Sequence, residues 1–107
     1  MLGEITPQDA LQRQRAGALV VDVREPSEWS RGHVSGAEHI PLDELPVRLR
    51  EGALPTEAEI RFICASGSRS SYAAAIAADS GYRNVASVAG GTSEWQYLAL
   101  PIEGGAR

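Results

Sequence analysis

"EIRFICASGSRSSYAAAIAADSG", residues 59–81, decides how this chain reads. Its first six residues, 59–64, are rich in Ile and Phe and read as a strand. Three small residues follow, Ala65-Ser66-Gly67. An alanine-rich run from Ser68 to about Ser80 then reads as a helix, closed by Gly81. Cys64 is the only cysteine among 107 residues. It stands where the strand turns into the helix.

The same alternation continues on both sides. Thr6-Pro7-Gln8-Asp9 reads as a helix start, with Thr6 as N-cap, Pro7 in the first turn and Asp9 behind it. Gly17 stops that helix. "ALVVDV" (18–23) is a short β-branched run of a buried strand. "EPSEWSRGH" reads as a helical turn and loop, and "AEHIP" (37–41) as a brief strand. "LDELPVRLREG" reads as a helix with Asp43 as its cap and Pro46 near its start. "NVASVAG" (84–90) is a further strand and "TSEWQYLA" (92–99) a last helix. Strands that alternate with helices predict an α/β domain, a mostly parallel sheet covered on both faces. One domain over 1–107 fits the length.

Composition narrows the function. All ten basic residues are arginines, scattered along the chain, and the net charge is −4. No basic stripe suggests nucleic acid. The longest aliphatic run, Ala73 to Ala78, is too short to span a bilayer. The N-terminus lacks the pattern of a secretory signal, and a lone cysteine forms no internal disulfide. These features predict a soluble cytoplasmic protein of a bacterium with a GC-rich or thermophilic genome. One cysteine and two histidines, His33 and His39, make a poor metal site. Neither a metal nor an organic cofactor is expected.

In an open α/β sheet, ligands gather at the carboxyl ends of the strands. Cys64 sits at such an end. The small residues after it let the backbone curl with its N–H groups inward. The following helix adds the positive end of its dipole, and Arg69 adds a full charge. A thiol with a pKa of about 8.5 falls to roughly 3.5–7.5 in such surroundings. The placement makes a nucleophile inside an anion cradle. The plainer reading is a small buried hydrophobe at a strand end.

At this point the sequence resembles a family. "CASGSRS" (64–70) is similar to the active-site loop of rhodanese-like sulfurtransferases, C-x-x-G-x-R-S. "VVDVREPSEWSRGHVSGAEHIPL" (20–42), "GYRNVASVAGG" (81–91) and "EWQYLALPIE" (94–103) resemble three further stretches of that family, in family order. The resemblance implies a five-stranded parallel sheet flanked by helices. It implies that Cys64 carries sulfur as a persulfide, stabilised by the N–H groups of Ala65, Ser66, Gly67, Ser68, Arg69 and Ser70. Arg69 would help bind an anionic donor such as thiosulfate, and a thiol, a protein or cyanide would accept the sulfur. Asp22 and Arg24 would either brace the loop or form a structural ion pair. Trp29 and His33 read as structural, and Trp95 as packing the last helix onto the core. The chain departs from the family pattern at His39, where asparagine is common, at Val88 in place of leucine, and at Ala99 in place of glycine.

Two other functions fit parts of the pattern. A cysteine phosphatase of the cell-cycle type, or a related arsenate enzyme, shares the fold, the cysteine and the arginine. Its loop is one residue longer than the four residues between Cys64 and Arg69. The shorter loop makes a tighter cradle, suited to one sulfur atom rather than a tetrahedral phosphate. A non-catalytic docking module is the other alternative, though such modules usually lose the cysteine.

Overall fold

The computed structural model describes residues 3–105. In chain order its elements are β1 (Glu4–Ile5), α1 (Pro7–Arg15), β2 (Leu19–Asp22), α2 (Pro26–Trp29), β3 (His33–Val34) and β4 (Glu38–His39). A 3₁₀ turn (Leu42–Glu44) leads into α3 (Leu45–Arg50), followed by β5 (Glu59–Ile63), α4 (Ser68–Asp79), β6 (Asn84–Val88), α5 (Gly91–Tyr97) and β7 (Ile102–Glu103). Five strands form one sheet in the order β1-β6-β5-β2-β4, every pair parallel. β5 is the central strand, and Asp22 lies beside Ile63 in register.

The strands lack a polar face because both faces are covered. Val21 and Phe62 point into a cluster with Leu45 and Leu49 of α3 and Ala73, Ala74 and Ala77 of α4. Val20 and Ile63, one position along, point the other way, toward Ala10 of α1 and Trp95 of α5. The alanines let α4 lie close on the sheet and carry its amino end up to β5. Truncating a fully buried core residue such as Phe62 to alanine costs about 3–5 kcal/mol.

Local signals act as read in α1. The Thr6 hydroxyl accepts the Asp9 N–H at 3.1 Å, and Gly17 leaves the helix at φ 114°. Asp43 does not cap a helix. Pro46 has no N–H to give the Leu42 carbonyl, so residues 42–44 close as a 3₁₀ turn instead. α3 then starts at Leu45 without a side-chain cap. The strand expected at 37–41 is confined to β4, and the last helix runs Gly91–Tyr97 rather than 92–99. Ala99 after it sits at φ 57°, the left-handed region that explains the glycine usual there.

Three short strands escape a sequence reading. β1 pairs with β6, and β3 pairs antiparallel with β7. The second ribbon is clasped by Glu103, which accepts from the Ser35 hydroxyl at 2.8 Å and the Gly36 N–H at 3.2 Å. Strands of two residues carry no period to detect.

Candidate active site

Cys64 follows the last residue of β5, at the carboxyl edge of the sheet. Two helices converge on it. Gly67 stands at the N-cap of α4 with φ 115°, which turns the chain over the sulfur. α5 approaches from the other side. The Thr92 N–H donates to the Cys64 carbonyl at 2.7 Å, and the Ser93 N–H to the Ala65 carbonyl at 3.1 Å. These bonds hold the loop carbonyls toward α5, leaving loop N–H groups for the sulfur. The approach is so close that a Cβ on Gly91 would overlap the carbonyls of Cys64 and Ala65.

The sulfur is almost sealed: Cys64 is 1% exposed. The Gly67 N–H donates to Sγ at 3.1 Å, and the Ser70 hydroxyl lies 3.5 Å away. Burial pushes the thiol pKa up. The Ser70 hydroxyl and the backbone N–H groups of Ser70, Gly67 and Ser66 outweigh it, so the net shift is downward. Behind Ser70 lies Ser87 of β6, with the two hydroxyls 2.7 Å apart and both residues buried.

The other expected site residues take different places. Ala65 is engaged through its carbonyl, and Ser68 is an exposed first residue of α4. Arg69 is committed to Glu28 of α2, donating from Nη1 to Oε1 at 2.7 Å and from Nη2 to Oε2 at 2.9 Å. That fork holds the Glu28 carboxyl down at about 2 and raises the Arg69 pKa. The Arg69 side chain is a third exposed, and two of the five guanidinium N–H groups are used on the carboxylate.

Asp22 and Arg24 do not bond to the cysteine loop. Arg24 donates its backbone N–H to Asp22 Oδ1 at 2.9 Å and its Nη2 to Oδ2 at 2.8 Å. A further bond reaches the Gly32 carbonyl at 2.8 Å. Both side chains are buried, so the pair ties the end of β2 to the chain after α2. Trp29 stacks on His33 at 3.5 Å between centroids and on His39 at 4.6 Å. His39, the departure from the family pattern, also meets the Arg24 carbonyl through Nε2 at 2.8 Å. Trp95 is fully buried and donates to the Pro101 carbonyl at 2.9 Å.

Glu28, Ser87 and the Gly91-Thr92 contact went unassigned in the sequence reading. Glu28 and Gly91 lie inside recognised stretches, yet nothing local ties them to Cys64. A surface cleft lies at the other end of β2, between Gln14, Leu19, Ser35 and Glu103, away from Cys64. Among the described residues no three His, Cys, Asp or Glu side chains are grouped to hold a metal ion. No described helix is long and apolar enough to cross a membrane.

Comparison with known proteins shows the family and the fold. Residues 6–98 match the family model described as the rhodanese-like domain. The chain is 35% identical over 92 residues to the thiosulfate sulfurtransferase GlpE of Pseudomonas entomophila, covering 86% of this chain and 83% of that protein. It is 33% identical to a sulfurtransferase of Allochromatium vinosum, with 95% of each chain covered. Among solved structures, a rhodanese-related protein of Thermoplasma volcanium superposes with a TM-score of 0.83 at 31% identity, over 94% of this chain and 97% of that one. The rhodanese-like domain of the Anabaena Alr3790 protein superposes with a TM-score of 0.86 at 25% identity, over 97% of this chain and 80% of that one.

Proposed function

The chain belongs to the rhodanese-like domain family and is a sulfurtransferase of that type, and from that premise we propose that it moves sulfane sulfur through a persulfide on Cys64. The donor is thiosulfate or a persulfide. The acceptor is a thiol, small or on a protein, or cyanide in an assay. The observation that carries this is the seat of the sulfur: a buried thiol whose hydrogen bonds outweigh its burial and favour the anion.

The Cys64 thiolate attacks the outer sulfur of thiosulfate. A new S–S bond forms, the bond inside thiosulfate breaks, and sulfite leaves with the electron pair. The outer sulfur now carries the charge, within reach of the loop N–H groups that held the thiolate. The acceptor's lone pair then takes the outer sulfur, and the Cys64 thiolate returns. With cyanide the product is thiocyanate, and the cycle needs no outside oxidant or reductant. Arg69 draws in the anionic donor through the N–H groups that Glu28 leaves free. A reducing cytoplasm keeps the single thiol available between turnovers.

Intact mass spectrometry tests the reading. Protein treated with thiosulfate and desalted should gain the mass of one sulfur atom. Cyanide or dithiothreitol should remove it, and Cys64→Ser should neither gain it nor turn over. A wild type that gains no sulfur, where a known rhodanese does in the same buffer, would leave the docking-module reading in its place. Hydrolysis of aryl phosphates should be negligible. Phosphatase turnover comparable with sulfur transfer would overturn the argument from loop length.

A further inference from the structure

Three hydroxyls and one carbonyl lie behind the Cys64 sulfur. Ser70 Oγ is 3.5 Å from Sγ, 2.7 Å from Ser87 Oγ and 3.1 Å from the Gly67 carbonyl. Ser87 Oγ is itself 3.5 Å from that carbonyl. The Gly67 carbonyl already receives the Ser71 N–H at 3.1 Å and the Ser71 hydroxyl at 2.9 Å. It has two lone pairs and no need of a third donor. The Ser70 proton is therefore free to turn elsewhere.

Each hydroxyl has one proton. When Cys64 is a thiol, its S–H donates to Ser70 Oγ, and the Ser70 proton points to Gly67 or Ser87. When Cys64 is a thiolate, the Ser70 proton must turn to the sulfur. Its oxygen then keeps a buried donor only if Ser87 supplies one. We propose that Ser87 is a positioning residue: its hydroxyl donates to Ser70 Oγ and thereby holds the Ser70 proton on the Cys64 sulfur. Such a chain polarises along its length, so each bond strengthens the next.

The placement suits the role. Ser87 lies within β6, level with Phe62 of β5 and Glu4 of β1, and both residue and hydroxyl are fixed by the sheet. Ser70 and Ser87 are buried, so no water substitutes for the missing donor at the surface. The charged groups on the surrounding elements are Arg69 of α4 with its partner Glu28, Asp79 of α4, Glu59 and Arg61 of β5, the Asp22–Arg24 pair, Glu94 of α5 and Glu4 of β1. Substitutions at positions 70 and 87 alter none of them.

The proposal rests on the sulfur-transfer reading only for the use made of the thiolate, and its test reads the thiol directly. The chain has one cysteine, so the ultraviolet absorbance of the thiolate, taken against the matching Cys64→Ser protein, gives its titration midpoint. Ser87→Ala should raise the midpoint by about 0.5–1 pH unit, the scale of one buried hydrogen bond. Ser70→Ala should raise it at least as far. Ser87→Ala placed on top of Ser70→Ala should add nothing, because Ser87 acts through Ser70. Ser87→Thr and Ser87→Val have the same shape and share any packing strain, so the Thr variant should titrate lower than the Val variant by a similar interval. An unchanged midpoint in Ser87→Ala, a full additive shift in the double variant, or equal midpoints for Thr and Val would each overturn the proposal, whether or not the protein transfers sulfur.

Discussion

The two ends of β5 are both crowded with polar groups, and they do opposite things. At the amino end Glu59 receives Arg13 through two bonds of 2.8 Å and Arg61 through a third of 2.8 Å. Arg61 also reaches the Asn84 side chain at 3.3 Å. Each of these three charges has an opposite charge in contact, and the Glu59 carboxyl is lowered chiefly by its bond from Arg13. At the carboxyl end no carboxylate bonds to the sulfur among the described residues. The Gly67 N–H and the Ser70 hydroxyl converge on one buried atom instead. At the amino end two guanidiniums already share one carboxylate. The carboxyl end is balanced only when an anion occupies it. What marks a reactive site is thus a set of donors converging on one buried atom rather than a dense set of charges.

Breaking the carboxyl end should have the largest effect. Gly91→Ala puts a side chain at φ 58° and drives it into the Cys64 and Ala65 carbonyls. Left-handed backbone strain and overpacking together should cost about 3 kcal/mol, read by urea unfolding. Sulfur transfer by the protein that remains folded should collapse, because the loop can no longer sit against α5. Full activity in that variant would separate the cradle from the docking of α5.

Glu28→Gln sharpens the comparison, since at Glu28–Arg69 a paired charge borders the cradle. The amide cannot hold the guanidinium as a carboxylate does. Arg69 should turn to the donor, and the KM for thiosulfate should fall a few-fold with kcat little changed. A raised KM would mean that Glu28 instead holds Arg69 in its donor-binding pose. The pair also predicts a pH dependence. The folded pKa of Glu28 is depressed from 4.5 to about 2. Its contribution is therefore complete above the usual carboxylate pKa and is lost as pH falls toward and through about 2. Glu28→Gln should lose less stability than the wild type over that acid window, measured by urea unfolding at each pH.

Breaking the amino end should do least. Arg13 is half exposed, and its ion pair is screened by solvent. Arg13→Ala should leave thiosulfate:cyanide turnover unchanged and shift the unfolding midpoint only at the edge of detection. A marked loss of activity would mean that the two ends of β5 are coupled.

How far each part was legible depends on the range of the interaction that decides it. Thr6 and Asp9 are three residues apart, and the cap was readable from the pair. The turn at Cys64 was readable because its small residues, its glycine and its helix start are contiguous. Asp43 misled because Pro46, three places on, removes a bond that the capping pattern takes for granted. The role of Arg69 was half legible: its charge near the sulfur is local, but its partner Glu28 lies 41 residues away.

The sequence by itself determined the α/β order, the buried strands and the position of one thiol at a strand end. Each follows from patterns that repeat within a few residues, where backbone geometry leaves few choices. Only the tertiary structure decided that α5 holds the loop carbonyls, that Glu28 takes Arg69, and that Ser87 stands 17 residues from Ser70 yet 2.7 Å from its oxygen. Serine at position 87 looks like any strand serine until β6 packs beside β5 and closes water out. The physical reason is that a hydroxyl's partner, and hence its role, is set by what burial leaves within hydrogen-bonding distance.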